Sequence, residues 1–201
     1  MGLDGTLIHW EGSRIRFPLF GPHNLANALG AISMAREIGL PAADIRRGIE
    51  SVAPLFGRSE LFRGPVTVIF DGYNANPDSM EQAISFLEEL PWEGRKLAVL
   101  GSMRELGAQS AEAHGALGRR LSGSRLDAFF LLGEEMEQAW RALSGSARAG
   151  SAVWSTDFDT LSLRVRQVLR ERDILLIKGS RGLELERLLP LVTGERESRC
   201  S

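Results

Sequence analysis

The pattern of hydrophobic and polar positions divides the chain into a short amino-terminal part and a longer part in which strand and helix signals alternate. Residues 66–70 are apolar or β-branched and predict a buried strand, and apolar residues at helical spacing follow from Met80 onward. Further strands are predicted over 96–100, 128–132, 152–154 and 173–177, and helices over 77–90, 109–122, 134–143, 158–171 and 182–189. This alternation predicts an α/β fold with a mostly parallel sheet.

The amino-terminal part has a different pattern. Two short strands, at 6–10 and 15–19, flank turn residues and predict a hairpin, which we expect at the edge of a larger sheet because an isolated hairpin is marginal. A helix opens around 21–24, where Asn24 is either its N-cap or a ligand contact, and Gly39 fits its C-cap. A second short helix begins near Pro41. We expect the domain boundary within 61–65, which gives domains 1–62 and 63–201.

Length and composition exclude several classes of protein. A chain of 201 residues with net charge −2 can bury one good core and offers no electrostatic reason to bind nucleic acid. It contains no apolar run of membrane-spanning length and no signal-peptide pattern, and the single Cys200 excludes a disulfide framework, so we expect a cytoplasmic protein. The only lysines, Lys96 and Lys178, do not stand in a Gly-Lys-Ser/Thr string, so the chain has no P-loop.

A polar loop follows the strand at 66–70. Its polar and aromatic residues are Asp71, Tyr73, Asn74 and Asn76. In open parallel sheets ligands bind just beyond the carboxyl ends of the strands, which favours ligand contact for these side chains. The alternative is that they only form a turn. That alternative suits Asn76 well, because it stands before a proline as an N-cap does.

A cation follows the apolar strand at 173–177 directly. Lys178 therefore falls at the carboxyl end of a strand and faces the crevice of the sheet, with Ser180 and Arg181 close behind it. The alternative is a surface charge beside a glycine turn at Gly179. His114 has no nearby metal-ligand partner in the sequence, and we expect it to pack or to form hydrogen bonds within a helix.

The string Asp-x-Tyr-Asn-Ala-Asn-Pro-Asp-Ser-Met at 71–80 resembles a long and specific signature of the Mur ligase family, in the branch that adds D-alanyl-D-alanine. Other matches, in the family's order, are His-Asn-x-x-Asn-Ala at 23–28, Gly-Arg at 57–58, Gly-Ser-Met-x-Glu-Leu-Gly at 101–107 and Lys-Gly-Ser-Arg at 178–181. Ser102 replaces the family's usual aspartate. The resemblance extends to about residue 189.

The resemblance implies a Rossmann-like, mostly parallel sheet with helices on both faces, preceded by the tail of the central ATPase domain. It also implies nucleotide contacts: Asn24 and Asn27 near the adenine, Arg58 at the phosphates of ATP, and the loop residues Asp71, Tyr73, Asn74 and Asn76. It implies that Lys178, Ser180 and Arg181 lie near the incoming amino-acid substrate, where the two cations hold a carboxylate.

The implied reaction is ATP- and Mg²⁺-dependent formation of an amide between UDP-N-acetylmuramoyl-tripeptide and D-alanyl-D-alanine. The P-loop, the magnesium ligands and the UDP-binding domain of the family are absent from this sequence. We therefore assign no catalytic residue and no metal ligand here, expect a monomer that needs the missing N-terminal and central domains, and expect no ligation by this chain alone. The alternatives are a non-catalytic binding or structural module of the same fold and another amide ligase of the superfamily, such as a folate-polyglutamylating enzyme.

Overall fold

A computed structural model describes residues 2–194 and divides the chain into two compact units, which meet between Leu55 and Phe56. Each unit is described by itself. No helix within the described residues is long and apolar enough to cross a membrane.

The first unit consists of a β-hairpin and two helices. Strands β1 (Thr6–Trp10) and β2 (Ser13–Phe17) pair antiparallel around a turn with positive φ at Glu11 and Gly12, which confirms the predicted hairpin. Within the described residues these strands form a sheet of two strands, and their place at the edge of a larger sheet stays a prediction. Their apolar side chains are buried by helices α1 (Pro22–Glu37) and α2 (Ala42–Glu50).

Helix α1 begins earlier than the sequence suggested. Gly21, with φ 91°, is its N-cap and Pro22 its first residue, so the N-cap alternative for Asn24 is wrong. Asn24 lies inside the first turn, where its side-chain amide donates to the Phe20 carbonyl at 2.8 Å. At the other end the helix stops at Glu37 with Ile38 as its C-cap, and Gly39, predicted as the C-cap, is the left-handed residue directly after it, with φ 82°.

The second unit is built on a six-stranded sheet. Its strands are β3 (Glu60–Phe62), β4 (Thr67–Asp71), β5 (Lys96–Gly101), β6 (Ala128–Leu132), β7 (Ala152–Ser155) and β8 (Ile174–Lys178), in the spatial order β3-β4-β8-β5-β6-β7. All neighbours pair parallel except β3, which pairs antiparallel with β4. The predicted α/β fold with a mostly parallel sheet is therefore confirmed.

Strand β3 was not predicted, and it shifts the boundary between the units. Its register pairs Glu60 with Phe70 and Phe62 with Val68, so residues assigned to the end of the first domain belong to the sheet of the second unit. The division between Leu55 and Phe56 thus falls before the expected boundary at 62/63.

Four helices connect the parallel strands: α3 (Pro77–Glu89), α4 (Ser110–Ser122), α5 (Met136–Ser144) and α6 (Phe158–Val168). A short helix, α7 (Leu189–Thr193), follows β8. Helix α6 ends before the predicted residue 171 because Leu169 adopts an extended backbone. The predicted helix over 182–189 is instead two 3₁₀ turns, Arg181–Leu183 and Leu185–Leu188, separated by Glu184 in the left-handed conformation.

The core lies on both faces of the sheet. On one face Val68, Phe70 and Val99 pack with Leu161 and Val165 of α6. Residues of opposite parity on the strands are equally buried, as are the apolar residues of α3. Burial on both faces explains why the central strands read as continuous hydrophobic runs and could be located from the sequence.

Candidate functional site

Three polar segments meet at the carboxyl edge of the sheet. Strand β8 lies between β4 and β5, and its last residue, Lys178, is in register with Asp71 on β4 and with Leu100 on β5. The segments 71–76, 101–107 and 178–181 therefore leave the sheet at the same edge. This edge is where ligands bind in open parallel sheets.

Lys178 is engaged by the protein itself. Its Nζ lies 2.5 Å from the Asp71 carboxylate and 3.2 Å from the Asn74 carbonyl oxygen. The side chain is 2% exposed and that of Asp71 is 16% exposed, so both charges are largely removed from water and require this pairing. We expected the Lys178 ammonium to face a substrate carboxylate; the carboxylate that it contacts is that of Asp71.

The segment that precedes β3 is attached to the same carboxylate. The Ser59 amide donates to Asp71 Oδ1 at 3.2 Å, and the Tyr73 amide donates to the Gly57 carbonyl at 3.0 Å. Gly57 has φ 69°, and a Cβ there would lie 3.0 Å from the Tyr73 nitrogen, so glycine suits this close approach. Arg58 consequently stacks on Tyr73, with its guanidinium carbon 4.3 Å from the ring centroid.

Two further predicted residues serve the local backbone. Asn74 Oδ1 accepts from the Ala75 amide at 2.8 Å. Asn76 caps α3: its Oδ1 accepts from the Ser79 amide at 2.8 Å, and Ser79 Oγ accepts from the Asn76 amide at 3.1 Å. The N-cap prediction for Asn76 is confirmed. Both asparagines are exposed, and their contact with a nucleotide stays a prediction.

Ser180 and Arg181 differ in their surroundings. Ser180 is buried; its hydroxyl oxygen accepts from the Arg104 amide at 2.9 Å, and its own amide donates to the Ser102 carbonyl at 3.3 Å. Ser180 therefore ties the loop after β8 to the loop after β5. Arg181 is exposed, with its guanidinium 5.3 Å from the Phe56 ring centroid and 3.8 Å from the Glu186 carboxylate.

His114, on α4, forms a hydrogen bond with the loop after β5. Its Nε2 accepts from the Met103 amide at 3.0 Å, and its Nδ1 lies 2.7 Å from the Ser110 carbonyl oxygen. This pattern requires a neutral ring that carries its proton on Nδ1. The side chain is fully buried, so the expected role in hydrogen bonding is confirmed.

Glu135 is a residue of this edge that we did not single out. A hydrogen bond with the Ser102 side chain is the main cause that lowers the pKa of Glu135 below its ordinary value. Gly133 permits this approach, because a Cβ there would lie 2.2 Å from Ser102 Oγ. The available sequence signal was two glutamates directly after Gly133 at the end of β6.

The remaining predicted residues, Asn24 and Asn27, belong to the first unit. They lie in the first turns of α1, and Asn27 is exposed. Metal binding was not expected of this chain, and within residues 2–194 no group of three or more His, Cys, Asp or Glu side chains could hold a metal ion. The described residues therefore do not fit a Mg²⁺ site on their own.

Comparison with known proteins identifies the family. Residues 57–181 match the model of the Mur ligase glutamate ligase domain. The chain is 40% identical to UDP-N-acetylmuramoyl-tripeptide--D-alanyl-D-alanine ligase of Treponema pallidum over 97% of its length, and 30% identical to that of Bacillus subtilis over 92%. In both cases it spans 42% of the relative's length, so it corresponds to less than half of each.

Solved structures give the same assignment. The fold is similar to that of MurF from Acinetobacter baumannii, with a TM-score of 0.78 and 30% identity over 91% of this chain and 40% of that one. MurF from Thermotoga maritima, solved in complex with ADP, shares the fold with a TM-score of 0.75 over 97% of this chain and 46% of that one. From the matched domain and these relatives, this chain belongs to the Mur ligase family.

Proposed function

We propose that this chain is the carboxyl-terminal part of an ATP-dependent amide ligase that adds D-alanyl-D-alanine to UDP-N-acetylmuramoyl-tripeptide, a step of peptidoglycan biosynthesis. In this proposal residues 1–55 complete a central ATPase domain, and the chain from Phe56 onward, which includes β3, forms the carboxyl-terminal ligase domain. The observation that carries the proposal is the convergence of the segments 57–60, 71–76 and 178–181, which hold the family's motifs, at one edge of the sheet.

The nucleotide side of the proposed site is the group around Tyr73. Arg58 presents a planar guanidinium that suits phosphate oxygens, and Asp71 presents a carboxylate suited to a ribose hydroxyl. Tyr73 is 48% exposed, so its ring is accessible beside them. Asn74 and Asn76 complete this side. Adenine contact by Asn24 and Asn27 stays a separate prediction for the first unit.

The dipeptide side is carried by the residues after β8. Arg181 is an exposed cation suited to the terminal carboxylate of D-alanyl-D-alanine, and Ser180 Oγ retains a proton to donate. Bound ATP would supply the activation of the precursor carboxylate for amide formation. The P-loop and the Mg²⁺ ligands belong to the amino-terminal remainder of the ligase, so this chain contributes one wall of the site, orients the amine and excludes water.

The test is a chimaera in which this chain replaces the matching segment of the Treponema pallidum relative. Incubated with ATP, the tripeptide precursor and D-alanyl-D-alanine, the chimaera should form the extended peptide, detected by mass spectrometry. The amino-terminal remainder alone and this chain alone should form none. We also expect this chain alone to bind ATP more weakly than about 1 μM by calorimetry, because it lacks the phosphate cradle.

The alternatives are separated by the same experiment. A chimaera that melts cooperatively and binds ATP but forms no product would favour a non-catalytic module of the fold. Formation of product with glutamate in place of D-alanyl-D-alanine would favour another amide ligase of the superfamily.

A further inference from the structure

The geometry points to Lys178 as a positioning residue that sets the place of Asp71, the loop 72–76 and Arg58, and not as a ligand of the incoming dipeptide. In the proposed ligase this places its effect on the nucleotide side of the site, and in that respect the inference rests on the proposed function. The contacts themselves are properties of this chain.

The first step of the argument is the engagement of the ammonium group. Lys178 is 2% exposed, and two of its three N–H donors are directed at Asp71 Oδ2 and the Asn74 carbonyl oxygen, at 2.5 and 3.2 Å. A substrate carboxylate that replaced Asp71 would leave that carboxylate, itself 16% exposed, without its cation. Such an exchange is unfavourable in a site removed from water.

The second step is that the two acceptors lie in different parts of one loop. Asp71 is the last residue of β4, and Asn74 lies three residues beyond it, before α3 begins. Because Lys178 is in register with Asp71 on the neighbouring strand, its side chain reaches both acceptors from a fixed point on the sheet. The ammonium group thereby fixes the start and the middle of this loop, because it binds both acceptors at once.

The third step extends this control to Arg58. The second oxygen of Asp71 accepts from the Ser59 amide at 3.2 Å, so Lys178 orients the carboxylate that anchors the segment carrying Arg58. Ser59 has φ 49° and Gly57 has φ 69°. A left-handed backbone is unfavourable for a residue such as Ser59, so the hydrogen bonds of this segment are needed to maintain it. Stacking of Arg58 on Tyr73 then depends on both segments being held.

Hydrogen exchange on this chain tests the positioning role directly. Lys178→Met keeps the unbranched stem and removes the ammonium group, and the amides of Ser59 and Tyr73 should exchange about 10-fold faster, a factor typical of one lost charge-assisted contact. Amides of β6, such as that of Phe130, should accelerate only by the factor that the lower global stability of the variant predicts. Arg181→Met is the matched control, because it removes a cation three residues away that contacts neither Asp71 nor Asn74 in the described structure; it should leave the Ser59 amide unchanged.

A second variant covers the case in which Lys178→Met does not fold. Asp71→Asn changes the more exposed partner and should release the Ser59 amide to the same extent. If neither variant accelerates exchange at Ser59, the proposal is overturned, and an equal acceleration in Arg181→Met would overturn it as well.

The chimaeric ligase provides a measurement that separates positioning from a purely structural role, namely the KM for each substrate. Lys178→Met should raise KM for ATP about 10-fold and leave KM for D-alanyl-D-alanine unchanged, whereas Arg181→Met should do the reverse. A Lys178→Met variant that raises only the dipeptide KM would overturn the proposal. An inactive parent chimaera would count against the proposed function only, because the exchange measurements still decide the role of Lys178.

Discussion

Strand β8 carries a buried charge at each of its ends, and the two charges are satisfied in different ways. Asp173 directly precedes the strand and Lys178 is its last residue, and each is 2% exposed. At the amino end, Arg95 Nε and Nη2 donate to the two oxygens of Asp173 at 3.1 and 2.6 Å, and the Arg170 amide donates at 2.8 Å. At the carboxyl end, Lys178 shares one nitrogen between two acceptors on a loop.

From this difference we expect the amino-end pair to contribute mainly to stability and the carboxyl-end pair mainly to the placement of the loop. The guanidinium of Arg95 is planar and binds Asp173 through two parallel bonds, and it also donates to the Val168 carbonyl at 2.7 Å. These partners lie at strand and helix ends and hold the core together. Lys178 presents a single ammonium that can follow its acceptors, and those acceptors belong to the segments that bear the proposed ligand contacts.

The largest loss of stability should follow from breaking the amino-end pair. Arg95→Met leaves the Asp173 carboxylate buried without its cation, and we expect the free energy of unfolding to fall by about 3 kcal/mol in urea titrations. Arg172→Met is the control: its pair with Glu93 is exposed on both sides, so its change should stay within about 0.5 kcal/mol. Equal losses in the two variants would contradict the assignment of stability to the buried pair.

Lys178→Met should destabilise the chain less than Arg95→Met does. Asp71 is partly exposed and retains the Ser59 amide as a donor, so we expect about 2 kcal/mol. The measurement is the same urea titration, with the two variants compared at one pH and salt concentration. A loss that exceeds that of Arg95→Met would show that the carboxyl-end pair carries stability as well as placement.

Removal of the segment 56–62 should have a smaller effect. A chain that begins at Phe56 should melt cooperatively, because it contains the whole second unit. A chain that begins at Arg63 lacks β3 and the edge-to-face contact of Phe56 with Phe70, and should be less stable by about 1–2 kcal/mol. Identical melts of the two chains would mean that β3 adds nothing to the sheet.

The smallest expected effect concerns pH and Glu135. Because the folded-state pKa of Glu135 is lowered, chiefly by the hydroxyl of Ser102, its ionised form stabilises the fold above its unfolded-state pKa. That stability is lost as the pH falls through the lowered folded-state value. Ser102→Ala should move the pKa of Glu135 upward in an NMR titration and cost about 0.5 kcal/mol or less at neutral pH, since the group is exposed.

The Ser102→Ala effect on stability should vanish at acid pH, where Glu135 is protonated in both variants. Ser122→Ala is a matched control, because its hydroxyl bonds only the Arg119 carbonyl in the described structure and lies on the exposed side of α4. A pKa of Glu135 that does not move in Ser102→Ala would contradict the hydrogen bond as its cause.

Sequence patterns predicted the parallel strands of the second unit because these are buried on both faces and bounded by turn residues. Strand β3 was not predicted, because its three residues are all half-buried and show no alternation of apolar and polar positions. The 3₁₀ turns after β8 were not predicted, because they are separated by Glu184 in a left-handed backbone conformation. Glutamate rarely adopts this conformation, so the sequence does not indicate it.

The candidate site was predicted as a set of residues and not as a set of contacts. Asp71 lies beside Lys178 because β4 and β8 are neighbours in the sheet. The order of strands in the sheet cannot be predicted from the spacing of residues along the chain. The lysine was therefore expected to meet a substrate carboxylate, whereas the protein supplies one. Likewise, the hydrogen-bond partner of Glu135 is Ser102, which lies in the loop after β5 and is distant in sequence.

The place of β8 in the sheet also has a consequence for the order of assembly during translation. The last strand among residues 2–194, β8, lies between β4 and β5, which are therefore not neighbours of each other in the sheet. While β8 is still within the ribosome, the strands on its two sides lack the partner that joins them, and we expect the edges that face β8 to be open. Such edges attract other strands, so this interval is the period of greatest exposure to misassembly.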